Sequence, residues 1–121
     1  VIVASNLFGD ILTDLGAMLQ GGMGMAAGGN INPERQYPSM FEPIHGSAPD
    51  IAFQGIVNPV ASIESVRMMM THFGETEAAL DIQNAVSAVM GEGRIKTVDM
   101  GGVSKTGEVG DEIARVLKAN S

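Results

Sequence analysis

Two rhythms of apolar and polar positions alternate along this chain. It opens on the unbroken apolar run Val1-Ile2-Val3-Ala4, bounded by Ser5-Asn6. A β-branched run of that kind predicts a short strand of a sheet covered on both faces. From residue 7 to residue 20 the period lengthens. Ile11, Leu12, Leu15, Met18 and Leu19 recur at helical spacing, with Ser5 or Asn6 available as N-cap, so a helix is expected up to Gly21-Gly22. Residues 23–30 are too glycine-rich for another helix and suit a strand lying close to other backbone.

Residues 32–39 carry turn chemistry. Met40-Phe41 is a short apolar step, and residues 42–50 contain two prolines and a glycine, which forbid a regular helix or central strand and predict a shaped loop. Asn58-Pro59 is a helix entry, with Asn as N-cap and Pro at the first helical position; Ile63, Val66, Met70 and Phe73 carry the helix to Gly74. A further helix is predicted over about residues 76–90, stopped by Gly91 and Gly93. Residues 95–98 suit a brief strand, and Thr106 suits the cap of a last helix carrying Val109, Ile113, Val116 and Leu117.

Composition narrows the class. A length of 121 residues allows one core or part of one. Fourteen acidic against seven basic residues leave a net charge of −7 with no basic cluster, which argues against nucleic acid or an anionic membrane as partner. No apolar run approaches the roughly 20 residues of a membrane span, and no signal peptide pattern is present. The absence of cysteine excludes disulfides and thiolate chemistry and suits the cytoplasm. Sixteen glycines, roughly 13% against an average of about 7%, have no collagen-like period and no linker to absorb them. They are expected to serve backbone geometry in particular loops. A start on Val1, without Met or a polar lead-in, reads as an internal beginning.

Three constellations could carry chemistry. Asp10 and Asp14 lie four apart on the first predicted helix and share a face, where like charges oppose the helix by about 0.2–0.5 kcal/mol unless neutralised. A hard divalent cation held by two carboxylates would do that; two solvated carboxylates are the plainer reading. Residues 22–27 formally match the dinucleotide fingerprint G-x-G-x-x-A, but a helix precedes them and turns follow, so close backbone packing is the better explanation. In the loop of residues 42–50, Gly46-Ser47-Ala48 could offer backbone N–H groups to phosphate, Asp50 could accept from ribose hydroxyls, and the adjacent Ile51 could lie against adenine. The alternative is a proline-stiffened surface loop with His45 packed or solvated. His72, near a helix end, suits the helix dipole better than a ligand role, and Met68-Met69-Met70 suit core filling.

Together Asn6-Leu7-Phe8-Gly9-Asp10-Ile11-Leu12-Thr13-Asp14, Phe41-Glu42-Pro43-Ile44-His45-Gly46-Ser47-Ala48-Pro49-Asp50-Ile51, Asn58-Pro59 and Thr97-Val98-Asp99-Met100-Gly101-Gly102 strongly resemble the β-decarboxylating 2-hydroxyacid dehydrogenases, the isocitrate and 3-isopropylmalate dehydrogenase type. The resemblance implies an α/β fold, a three-layer sandwich without the Rossmann fingerprint, of which residues 1–121 are the C-terminal portion. Asn32-Pro33-Glu34-Arg35-Gln36-Tyr37-Pro38-Ser39 looks like the tartrate/D-malate branch. By the same resemblance Asp10 and Asp14 would bind Mg²⁺ or Mn²⁺, with a third aspartate from the other subunit of a homodimer. The metal would chelate the substrate hydroxyl and carboxylate and lower the hydroxyl pKa.

The cofactor implied is NAD. Its adenosine half would meet His45, Gly46, Ser47, Ala48, Pro49, Asp50, Ile51 and Asn58, with Glu42 nearer the nicotinamide ribose. Asp50 would repel a 2′-phosphate, where NADP-using relatives tend to carry Lys. The family's catalytic Tyr and Lys and its substrate-binding arginines precede the part matched here, so no residue of this chain is assigned a catalytic role.

Two positions depart from the pattern. Phe53 stands where relatives usually have Gly, and it would be strained or would reshape the adenine pocket if φ is positive there. Glu64 and Arg67 replace apolar or small residues and could pair on an exposed helix face. The expected activity is oxidation of a (2R)-hydroxy acid such as tartrate or D-malate, with decarboxylation where the substrate allows. 3-Isopropylmalate as substrate, a nucleotide- or metal-binding module without catalysis, and a structural fragment are the alternatives.

Overall fold

The computed structural model describes residues 1–120. Helix α1 (Asn6–Leu19) is followed by a 3₁₀ turn (Met23–Met25) and an antiparallel hairpin of β1 (Ala27–Asn30) and β2 (Met40–Pro43). The register pairs Ala27 with Pro43 and Asn30 with Met40. A second 3₁₀ turn (Pro49–Ile51) leads to α2 (Val60–Phe73) and α3 (Thr76–Glu92), and a third (Val98–Met100) leads to α4 (Thr106–Asn120).

The three later helices pack in chain order, α2 on α3 and α3 on α4, while the hairpin lies against α2. Their core consists of Val60, Ala85, Val86, Val89, Val109 and Ile113, with Ile63, Ile82, Met90 and Val116 around it. Full burial of a Val or Ile side chain contributes about 1.5–3 kcal/mol, so this seam holds α2 through α4 together. Met68, Met69 and Met70 are half-buried and lie outside this cluster.

Helix ends follow local chemistry. Asn58 Oδ1 accepts the Val60 N–H at 3.0 Å and so caps α2. Gly74, at φ +87°, closes that helix in the left-handed conformation while its N–H bonds to the Thr71 carbonyl. At α4 the outcome differs from the expected Thr106 cap. The Glu108 carboxylate reaches back to the Lys105 N–H at 2.6 Å, and the Thr106 hydroxyl instead donates to the Val57 carbonyl at 2.6 Å.

Two expected strands do not form. Residues 1–4 are irregular, exposed and unpaired, because a strand needs a neighbouring ladder and the described residues offer none. Residues 95–97 are irregular, since Ser104 N–H and Gly102 N–H bond back to Lys96 and Thr97 in a tight loop rather than across a sheet. Conversely, Met40-Phe41 belongs to a strand that runs on through Pro43, where a proline is tolerated at a strand end.

The α1 stripe does form a helix, yet it is not covered. Leu7, Phe8, Ile11, Leu12, Leu15, Met18 and Leu19 all remain exposed, and only Ala17 is buried. Among the described residues no helix is long and apolar enough to cross a membrane.

Candidate functional site

A cavity of about 490 Å³ lies where three loops converge. One wall is the loop after β2, represented by His45, Gly46, Ala48 and Ile51. A second is Ile56, Val57 and Asn58 at the entry of α2. The third combines Met23 and Gly24 with Val98 and Asp99. The volume falls in the range of about 300–1,000 Å³ typical of small-molecule sites.

Each wall is held by local hydrogen bonding. Thr106 fixes the second, through its N–H to the Gly55 carbonyl at 2.9 Å and its hydroxyl to Val57. The third is tied to the second by one carboxylate: Asp99 accepts from Asn58 Nδ2 at 3.1 Å and from the Thr97 hydroxyl at 2.5 Å. Asn58 and Thr97 are buried, so this bridge is partly shielded from water. Asn58 thus lines the cavity while both ends of its amide are already engaged. Gly24 completes the junction, because a Cβ there would stand 2.8 Å from Asp99 Oδ2 and 3.0 Å from Asn58 Cβ. Residues 22–27 are therefore no dinucleotide fingerprint, since no strand precedes them, but their second glycine lets the walls meet.

His45 supplies the unsatisfied group. Its Nδ1 lies 2.9 Å from the Gly46 carbonyl, and its buried Nε2 has no partner among the described residues. In the neutral ring, with Nδ1–H donating to that carbonyl, Nε2 is an acceptor without a donor. A buried polar atom without a partner costs about 1–3 kcal/mol, which a ligand donor would recover.

The remaining loop residues stand at its edge. Ser47, Pro49 and Asp50 are exposed and adjoin the lining residues without lining the cavity, and Asp50 opens the 3₁₀ turn. Ala48 takes φ +45° just before it. Glu42, on β2 opposite Gly28, is exposed and lies outside the lining. Phe53 does adopt a positive φ, +62°, so the strain expected there is present. Its side chain is fully exposed and not part of the lining, so it does not reshape the cavity.

Asp10 and Asp14 are both exposed on α1, and the Thr13 hydroxyl bonds the Asp10 carbonyl. Among the described residues no group of three or more His, Cys, Asp or Glu could hold a metal. Two carboxylates on one helix face suit a hard cation that keeps most of its coordination for water and substrate; alone they are an incomplete cage. Glu64 and Arg67 do pair, at 2.5 Å, but half-buried rather than on an exposed face.

Sequence reasoning missed Asp99, Thr97 and Gly24 as wall-formers. The first two lie in a run singled out only for its resemblance, and their partner Asn58 is 41 residues from Asp99 in the chain.

Residues 1–113 match the family model described as isocitrate/isopropylmalate dehydrogenase. A probable tartrate dehydrogenase/decarboxylase of Bacillus subtilis is 55% identical over 118 residues, covering 98% of this chain and 33% of the relative. A 3-isopropylmalate dehydrogenase of Thermobifida fusca is 56% identical over 115 residues, covering 95% and 31%. The crystal structure of an isocitrate dehydrogenase from Methylococcus capsulatus superposes with a TM-score of 0.86 at 46% identity, over 93% of this chain and 33% of that one. The chain spans about a third of the length of these relatives.

Proposed function

The chain belongs to the isocitrate/isopropylmalate dehydrogenase family, with that family's α/β fold, and from this premise we propose that it forms the C-terminal, metal- and adenosine-binding portion of an NAD-dependent dehydrogenase. The substrate is a (2R)-hydroxy acid of the tartrate or D-malate kind, decarboxylated after oxidation where its structure allows. The observation that carries this reading is the cavity of about 490 Å³ containing the unpartnered His45 Nε2.

The residues divide the work. Ile51, Ile56 and Val57 give a largely apolar chamber for a flat base, and His45 Nε2 accepts one hydrogen bond from the ligand. Gly46, Ser47 and Ala48 form the loop that would approach the pyrophosphate, and Asp50 takes the ribose hydroxyls at the edge. A carboxylate there repels a 2′-phosphate, which favours NAD over NADP. Glu42, on β2 just before that loop, would serve the nicotinamide ribose. Asp99 and Asn58 hold the second and third walls at fixed separation.

Asp10 and Asp14 are the two carboxylates this chain offers to Mg²⁺ or Mn²⁺, and a partner subunit of a homodimer completes the set. When bound, the metal supplies Lewis-acid polarisation of the substrate hydroxyl. The groups that move the proton and hold the substrate carboxylates lie outside this chain, so these 121 residues alone are inactive. The lack of cysteine is compatible with a reducing cytoplasm.

The tartrate/D-malate choice rests on Asn32-Pro33-Glu34-Arg35-Gln36-Tyr37-Pro38-Ser39. The near-equal identity to a 3-isopropylmalate dehydrogenase favours that substrate as the second reading. Initial rates of the whole protein with NAD, Mn²⁺ and D-malate, tartrate or 3-isopropylmalate test this. The highest kcat/KM is expected for D-malate or tartrate; a preference for 3-isopropylmalate establishes the second reading, and no turnover of any of the three refutes both.

A further inference from the structure

A second, smaller hollow of about 210 Å³ lies between residues 32–39 and the C-terminal end of α2, lined by Asn32, Arg35, Tyr37, Ser39 and His72 with Pro38 and Phe73. We propose that it binds a small dianion, a phosphate or a short dicarboxylate. Every polar side chain in the lining can donate a hydrogen bond, and none is acidic, in a chain of net charge −7.

Arg35 is the decisive residue. The chain has four arginines, and Arg67, Arg94 and Arg115 each pair with a glutamate, whereas Arg35 has no ion pair among the described residues. Its guanidinium offers a planar fork suited to carboxylate or phosphate oxygens. The loop that presents it is closed by its own backbone. The Arg35 N–H bonds the Asn32 carbonyl at 3.2 Å, and the Asn32 N–H bonds Ser39 Oγ at 3.0 Å. The Ser39 hydroxyl hydrogen is therefore free to donate outward.

Opposite, the His72 ring is held between Phe41 and Phe73, with centroids at 5.5 and 5.8 Å. It sits in the last turn of α2, whose dipole end is negative, so the positive charge that receives the anion comes from Arg35 and not from the helix. The hollow falls below the roughly 300 Å³ at which drug-sized sites begin, so it suits an anion of a few heavy atoms and not a nucleotide. The 14 residues of α2, about 21 Å at 1.5 Å per residue, separate it from the cavity at Asn58.

Calorimetric titration of the whole protein with inorganic phosphate and, separately, with succinate tests the site, each with and without saturating NAD. At least one anion is expected to bind with NAD present, and Arg35→Gln to weaken it at least tenfold while the NAD affinity stays within twofold. Phosphate alone identifies a phosphoryl ligand, succinate alone a carboxylate. His72→Gln, with its circular dichroism matched to wild type, is expected to weaken the same anion. Binding of neither anion, displacement by NAD, or unchanged affinity in Arg35→Gln overturns the proposal.

Discussion

Replacing Phe53 by glycine should stabilise the protein. Phe53 stands at φ +62° with its side chain fully exposed, so its ring contributes no burial that the substitution could remove. A non-glycine residue in the left-handed region costs roughly 1–2 kcal/mol. Glycine avoids that strain but brings a greater unfolded-state entropy, roughly 0.5–1 kcal/mol. The difference predicts a gain of about 0–1.5 kcal/mol for Phe53→Gly. Phe53→Ala keeps a Cβ in the same conformation and should change stability by no more than about 0.5 kcal/mol, as exposed substitutions generally do. Urea unfolding followed by circular dichroism separates the two, provided the slope m is unchanged. An equal rise of both midpoints would show that removing the exposed ring, not the backbone strain, is what matters. A fall for Phe53→Gly would refute the strain argument outright.

Other substitutions probe the walls and the charges. A Cβ on Gly102 would stand 2.1 Å from the Lys96 carbonyl oxygen, so Gly102→Ala should destabilise by about 1–3 kcal/mol and weaken NAD binding through the displaced Thr97 and Asp99; urea midpoints and an NAD titration measure both effects. Asp50→Lys should move the NAD/NADP ratio of kcat/KM toward NADP, and an unchanged ratio removes Asp50 from the ribose. The Glu112 carboxyl is held below its ordinary pKa, first by the hydrogen bond from Arg115, against the opposing effect of burial, and then by the charges of Arg115 and Arg94. A depressed folded pKa gives stability that is present above the unfolded value and is lost as pH falls through the folded one. The stability difference between wild type and Glu112→Gln should therefore be present at pH 7, vanish at low pH and shrink in high salt, as paired pH-resolved urea titrations would show.

The helices were legible because their information is local. Ile63, Met70, Val109 and Ile113 recur at the helical period, and Asn58 announces its helix through a bond only two residues long. The hairpin was half legible, since glycines in β1 hide the alternation that marks a strand. Residues 1–4 have strand composition but no partner among the described residues, and a ladder is a property of two segments. The same limit applies to α1, whose apolar stripe is plain in the sequence while its exposure is not.

Within the site, the loop after β2 could be picked out from its glycine and prolines, and its resemblance gave it a role. Phe53 could be flagged because glycine is the usual occupant, and its positive φ gives the reason. The Asn58–Asp99 bridge was not legible, because it joins residues 41 apart whose chemistry is ordinary until the fold brings them together. The run Thr97-Val98-Asp99-Met100-Gly101-Gly102 did carry a signal. A glycine pair closing a turn beside a buried threonine and a carboxylate marks a close approach of backbone, and Gly102 against Lys96 is that approach.

The central claim is that the cavity between the loop after β2 and the turn at Asp99 holds the adenosine of NAD. A crystal structure of the protein with NAD tests it most directly. The account predicts adenine inside the cavity beside Ile51, the adenine ribose hydroxyls on Asp50, and a donor from the dinucleotide on His45 Nε2. Adenine bound elsewhere, with His45 Nε2 still unpartnered, would contradict it.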